Sequence, residues 1–137
     1  MARIINITEA ASIGLHGMIL IARSKDELIN VNHISERMKA SRHHVAKVFQ
    51  RLVKAGMLGS TRGPSGGFIL KKLPGEISFL NIYEAIEGAL EENECPNNHQ
   101  ICPFDKCIMN NIAKKLSIEF KQYLSSQMLS NYISEVN

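Results

Sequence analysis

The chain has 137 residues, 45% of them hydrophobic and 21% charged, a composition typical of one globular domain rather than of a disordered or fibrous chain. No apolar run is long enough to span a membrane and no secretion signal is recognisable, so we expect a cytoplasmic protein that does not associate with membranes. Residues 1–72 hold twelve Lys and Arg against four Asp and Glu, a net charge of +8, whereas residues 73–137 carry −5. The basic half predicts a module that binds a polyanion, most simply nucleic acid; a solvated basic face without a partner is the alternative.

Two helices are predicted in the first forty residues. Apolar residues at helical spacing indicate a helix over about 7–24, with Asn6 as its N-cap and Glu9 three residues later completing a capping box. A shorter helix follows, with Asn32 as the predicted cap and Ile34 facing the core.

A third helix is predicted to begin after Ser41 and to end at Gly56, which supplies a left-handed residue. With the preceding helix and a short turn it forms a helix-turn-helix pattern, in which the second helix enters the DNA major groove by its N-terminal end. Arginine and histidine there can contact base edges, and lysine and arginine further along suit phosphates. The alternative is a surface helix that is merely basic.

A β-wing is predicted next, from strands over 57–61 and 68–70 around the glycine-rich turn 62–67. Arg62 at such a tip can enter the adjacent minor groove. A nucleotide-binding loop is excluded because the glycines do not lie between a strand and a helix. The predicted DNA-binding residues are Ser41, Arg42, His43, His44, Lys47, Arg51, Arg62, Gly63 and Ser65.

The three cysteines of the chain, Cys95, Cys102 and Cys107, lie within thirteen residues of a proline-interrupted loop. Disulfides cannot use an odd number of thiols, so the cluster predicts a metal site or an iron–sulfur cluster. His99 lies between them at a spacing that would also suit a Cys3His zinc site. The residues alone do not decide between zinc and iron–sulfur.

A helix capped by Ser78 and ended by Gly88 precedes the cysteine loop, a long helix is predicted over about 105–125, and a short last helix over about 128–134. The long helix carries an apolar stripe that predicts a homodimer, unless the stripe packs only within its own chain. The stripe comprises Ile108, Ile112, Leu116, Phe120, Tyr123 and Leu124.

Three stretches together resemble the IscR/NsrR-type regulators of the Rrf family: residues 40–48, residues 52–56 and the wing 62–70, followed by the three cysteines. The resemblance covers nearly the whole chain. It implies a dimeric transcription factor whose long helices cross at the dimer interface and whose cysteines hold a [2Fe–2S] or [4Fe–4S] cluster. Glu9 matches an acidic position that in some members supplies a fourth ligand from the partner subunit, and His99 is the alternative fourth ligand. The spacing C-x6-C-x4-C departs from the family, in which the last two cysteines are more often further apart.

We therefore expect a mainly α fold with a small β-wing: a winged helix-turn-helix region over 1–74, and the cluster loop with a long dimerisation helix over 75–137, in one compact domain. The expected function is a dimeric regulator that binds palindromic double-stranded DNA, with its affinity controlled by an iron–sulfur cluster sensing nitric oxide, redox state or iron–sulfur status. The alternative is a DNA-binding regulator that uses the cysteines as a thiol switch or a structural zinc site. An enzyme is not expected, because the chain has no cofactor fingerprint and no nucleophile–base constellation.

Overall fold

The computed structural model describes residues 5–25, 27–91 and 102–134. Its described residues form a mainly α-helical fold with one two-stranded antiparallel sheet, as predicted. In chain order the elements are α1 (Glu9–Arg23), α2 (Val31–Met38), α3 (Arg42–Lys54), β1 (Leu58–Thr61), β2 (Gly67–Leu70), a 3₁₀ turn (Pro74–Glu76), α4 (Phe79–Glu87), α5 (Ile112–Ser126) and a second 3₁₀ turn (Leu129–Tyr132).

Two of the predicted helix caps are confirmed. The Ser41 hydroxyl accepts a hydrogen bond from the backbone N–H of His44 at 3.1 Å and begins α3. Ser78 begins α4 with a complete capping box, in which Ser78 and Asn81 each accept a hydrogen bond from the other's backbone N–H. These caps satisfy N–H groups that have no partner within their helices.

The predicted caps of the first two helices are wrong. The N-cap of α1 is Thr8, whose hydroxyl oxygen accepts from the backbone N–H of Ala11 at 3.1 Å, so the capping box of Asn6 and Glu9 does not form. The N-cap of α2 is Asn30 rather than Asn32. The chain before Asn30 is held extended by a bridge to the wing, which lets the helix start two residues earlier than expected.

The wing is a tight hairpin in which Leu58 pairs with Leu70 and Thr61 with Gly67. A side chain at Gly66 would approach the Thr61 carbonyl oxygen to 2.2 Å, so the turn requires glycine there. Ile29 adds a bridge to Phe68, a pairing that no local pattern in the sequence predicts. This bridge joins the wing to the chain entering α2.

One hydrophobic core joins both parts of the chain. α1 contacts α2, α3, α4 and β2, and buried side chains of α1 and α3 meet those of α4 and of the C-terminal 3₁₀ turn. The Phe49 ring of α3 lies 5.2 Å from the Phe68 ring of the wing, centroid to centroid, so α3 and the wing share this core. The core therefore extends across the predicted boundary at residue 74.

The C-terminal helix is shorter than predicted. α5 begins at Ile112, not near Asp105, because Asn110 and Asn111 both adopt left-handed backbone with φ of 53° and 55°. Asparagine tolerates this conformation, which interrupts a right-handed helix. The expected last helix over 128–134 is instead the 3₁₀ turn Leu129–Tyr132.

Candidate DNA interface and cysteine loop

The outer face of α3 is a polar, basic stripe. His43, Lys47, Gln50 and Lys54 recur at intervals of four, three and four residues, which places them on one face of the helix, and all four are exposed. The opposite face is buried in the core. Packing of α3 through its apolar face therefore presents a cationic face to solvent.

A groove of about 640 Å³ lies between this face, the start of α2 and the wing. Arg62 and Gly63 line it from the wing, and Gln50 lines it from α3. Asn30 and Asn32 line it from the first turn of α2. The predicted set of DNA-binding residues did not include these three amide side chains, because they lie together only once the wing folds back on α2.

Arg62, Gly63 and Ser65 lie at the exposed tip of the wing, as the sequence predicts. Arg42 is exposed at the start of α3, where its guanidinium Nη1 donates to Asn32 Oδ1 at 3.2 Å. This hydrogen bond ties the first residue of α3 to α2.

His44 and Arg51 lie on a neighbouring face of α3, seven residues apart and so nearly in line along the helix. His44 Nδ1 lies 3.7 Å from Glu9 Oε1 at the start of α1. Arg51 Nη1 donates to the carbonyl oxygen of Ile86 in α4 at 2.9 Å. Both side chains, which we expected at the DNA interface, therefore contact other helices of their own chain.

Two of the three cysteines lie in the described residues, and both are free thiols. Cys102 is partly exposed and Cys107 is exposed on the chain leading into α5. Backbone hydrogen bonds from Asn111, and then from Met109, lower the pKa of the Cys107 thiol. The thiolate is the form that binds metals and reacts with oxidants, so this turn favours the reactive form of Cys107.

The predicted metal ligands are only partly within the described residues. Cys95 and His99 lie outside them. Glu9 is exposed and faces His44. Across residues 5–25, 27–91 and 102–134, no group of three or more His, Cys, Asp or Glu side chains is arranged to hold a metal ion.

The apolar stripe of the C-terminal helix divides into a buried and an exposed part. Leu124 is only 5% exposed and belongs to the chain's own core, and the Phe120 ring packs edge-on against Tyr83 of α4. Ile112, Leu116 and Tyr123 of the stripe remain at the surface, and so do Ile108 and its neighbour Met109 in the turn before α5. Their exposed fractions are 79% for Ile108, 56% for Met109, 41% for Ile112, 38% for Leu116 and 50% for Tyr123.

A helix-turn-helix whose second helix shows a basic face, joined to a two-stranded wing with an arginine at its tip, defines a winged helix-turn-helix DNA-binding protein. Among the described helices, none is both long enough and apolar enough to cross a bilayer.

The comparison with known proteins identifies the family. The chain belongs to the Rrf2 family, whose model, described as iron-dependent transcriptional regulator, matches residues 7–135. The expected resemblance is confirmed, and the chain is a DNA-binding transcriptional regulator rather than an enzyme.

Individual relatives agree with this assignment. The HTH-type transcriptional regulator IscR of Pectobacterium atrosepticum is 25% identical over 128 residues, which cover 93% of this chain and 74% of that protein. The structure of CymR, the global cysteine regulator of B. subtilis, matches with a TM-score of 0.80 at 21% identity over 98% of this chain and all of that one. The structure of T. potens IscR matches with a TM-score of 0.73 at 23% identity over 93% of this chain and 85% of that one. At these identities the two structures establish the shared fold.

Proposed function

We propose that this regulator binds palindromic DNA as a homodimer, and that an iron–sulfur cluster held by Cys95, Cys102 and Cys107 controls its affinity. Membership in a family described as iron-dependent supports the proposal, as does similarity to proteins named IscR. The observation that carries it is the pair of free thiols before α5, one of which has a lowered pKa. Within this scheme, residues 1–74 bind DNA and residues 75–137 hold the cluster and the dimer contacts.

The donor chemistry of the described thiols fits such a group. Iron in biological clusters is held by cysteine thiolates, and Cys102 and Cys107 are both accessible and unpaired. Glu9 of the partner subunit and His99 are the two candidates for a fourth, weaker ligand. A non-cysteine ligand would leave one iron accessible to nitric oxide or oxygen and sensitive to a change of redox state.

The thiols would act on DNA binding through the chain that joins α4 to α5. While the three cysteines are engaged, the segment 91–107 is fixed between the end of α4 and the start of α5. When they are released, the segment is freed from the start of α5, and the recognition helix of each subunit is re-spaced relative to that of its twin. Because the two recognition helices of a dimer must match the half-site spacing, a small shift between subunits weakens binding.

The DNA contacts proposed here are the exposed residues of α3 and the wing. His43 and Arg42 lie where base edges are read, and Lys47 lies where a phosphate is neutralised. The wing presents Arg62, exposed at its tip, to the minor groove. The remaining proposed contacts are Ser41, Gly63 and Ser65. His44, which faces Glu9, is left out of this set, and Arg51 is considered separately below.

The decisive experiment compares protein purified without oxygen before and after exposure to nitric oxide or air. Iron and sulfide content and the visible absorption spectrum report the cluster. Affinity for an operator selected from random-sequence duplexes reports function, and a Cys95→Ser, Cys102→Ser, Cys107→Ser variant serves as the cluster-free control. We expect iron and sulfide in the native protein and different affinities for the loaded and cluster-free forms. Equal affinities would refute the sensing role.

A thiol switch is the second candidate, because Cys107 is exposed and its pKa is lowered by the backbone amides of Asn111 and Met109. Low-pKa, accessible cysteines are the ones that oxidise reversibly. If the protein is a thiol switch, the purified protein should lack iron and sulfide, and reversible oxidation with peroxide should change its operator affinity. Stoichiometric zinc without such a response would instead indicate the structural zinc site.

A further inference from the structure

The carbonyl end of α4 is held by the recognition helix. The last carbonyl groups of a helix lack partners within it, and this end carries a partial negative charge. In α4 the Glu84 carbonyl oxygen accepts from the N–H of Gly88 at 2.9 Å. The Ile86 carbonyl oxygen accepts instead from Arg51, 35 residues earlier in the chain. The Arg51 guanidinium donates a hydrogen bond to this carbonyl and also places a positive charge at the negative end of the helix dipole.

The residue that Arg51 contacts is packed against α1. The Ile86 side chain is only 6% exposed, and it lies directly over Gly14 of α1, where a Cβ would come within 2.1 Å of its Cδ1. The next residue, Glu87, accepts a hydrogen bond from the hydroxyl of Thr8, the N-cap of α1. The end of α4 is therefore a packed junction of α1, α3 and α4.

The chain leaving this junction leads directly to the cysteines. The N–H of Leu90 donates to Glu84 Oε2 at 2.8 Å, and its carbonyl oxygen accepts from Lys121 Nζ of α5 at 3.4 Å. Residues 86–90 are thus connected to α1, α3 and α5 immediately before the segment 91–107.

We propose that Arg51 is a positioning residue, which fixes the recognition helix to the end of α4 and so transmits the state of the cysteine loop to the DNA-reading face. The proposal rests on the proposed function, since it assumes that the cysteine loop has two states. Arg51 is the only described side chain of α3 with a hydrogen bond to α4. A shift of the α4 end would therefore act on the C-terminal turn of α3 through this bond.

A phosphate contact is the competing role for Arg51, and the two roles differ in their dependence on salt. A side chain that neutralises a phosphate releases a counterion, so its loss lowers the slope of log affinity against log salt concentration by about 1. Loss of a positioning residue weakens binding without removing a phosphate contact, and leaves that slope unchanged.

The test compares Arg51→Met with wild type, and uses Lys47→Met as the control for a lost phosphate contact. Arg51→Lys, which keeps the charge, is the conservative variant. Each full-length protein is measured, loaded and cluster-free, for operator affinity at several salt concentrations. Hydrogen exchange of the Gly88 and Leu90 amides in the cluster-free protein reports the α4 end.

For Arg51→Met we expect about fivefold faster exchange of these two amides, an unchanged salt slope, and a loaded-to-cluster-free affinity ratio reduced towards one. Arg51→Lys should restore part of the protection. Lys47→Met should leave exchange and the affinity ratio as in wild type and lower the slope. The proposal would be overturned if Arg51→Met left the hydrogen exchange of the two amides unchanged and lowered the salt slope of operator binding. If the loaded and cluster-free forms of the wild-type protein bound the operator equally well, the sensing role would be refuted. The amide exchange and the salt slope of the Arg51 variants would still decide whether Arg51 positions α3.

Discussion

Replacement by alanine should have different effects on stability at two glycines of α1. Gly17 and Gly14 both lie inside the helix and are buried against neighbouring elements. A Cβ at Gly17 would come within 2.3 Å of Phe49 Cζ and 2.9 Å of its Cε2. At Gly14 it would come within 2.1 Å of Ile86 Cδ1, the terminal methyl of a flexible side chain.

The Phe49 ring has no equivalent freedom. It is fully buried and packs against the Phe68 ring, so a methyl group at Gly17 must move α1 and α3 apart. Overpacking of a core costs about 1–3 kcal/mol, and a contact of 2.3 Å with a fully buried ring belongs in the upper part of that range, about 2–3 kcal/mol. Replacing glycine by alanine inside a helix stabilises the helix by about 1 kcal/mol, which offsets part of this cost. We therefore expect Gly17→Ala to lower the free energy of unfolding by about 1–2 kcal/mol.

Gly14→Ala is the matched control. To make room for the new methyl group, the Ile86 side chain must rotate out of its preferred rotamer, at a cost of about 0.5–1.5 kcal/mol. The gain of about 1 kcal/mol in helix propensity from glycine to alanine offsets this cost. Its stability should stay within about 0.5 kcal/mol of wild type. Urea denaturation measures both variants, and the Gly17→Ala midpoint should fall by about 0.5–1 M with an unchanged slope. A Gly17→Ala protein as stable as Gly14→Ala would refute the idea that the Phe49 ring fixes the spacing of the two helices.

Three further predictions concern the interfaces and the thiols. Lys47→Gln should weaken operator binding and lower its salt slope by about 1, measured by titration at several salt concentrations; an unchanged slope would contradict a phosphate contact. Leu116→Glu in the exposed stripe should convert the proposed dimer to monomer in sedimentation experiments, with exposed Lys114→Glu on the same helix as the charge control; a persistent dimer would place the interface elsewhere. In metal-free protein, Cys107 should reach its half-maximal alkylation rate at a lower pH than a cysteine in an unstructured peptide measured beside it, because backbone hydrogen bonds lower its pKa and the thiolate is the reactive form. The variant Cys107→Ser should lose this reaction, and a midpoint at or above that of the peptide cysteine would show that the backbone amides do not stabilise the thiolate.

The sequence by itself determined the first four helices, the wing and their order, because these depend on contacts between residues close in the chain. Caps such as Ser41 and Ser78 act on backbone groups three residues away, and the buried face of α3 repeats with the helical period. The wing could be predicted because a glycine-rich turn lies between two short strand-like runs. The same local rules could not choose between Asn30 and Asn32, or between Asn6 and Thr8, because each of these residues is able to cap a helix.

Only the tertiary structure decided which side chains of the basic helix are free to meet DNA. Arg51 and His44 have the same residue types as the side chains around them, and nothing local distinguishes them from Arg42 or His43. Their partners, Ile86 and Glu9, are distant in the chain and come close only because α1 and α4 pack on α3. The division of the C-terminal stripe into a buried Leu124 and an exposed Leu116 has the same origin, since periodicity places both on an apolar face but only packing determines which of them is covered.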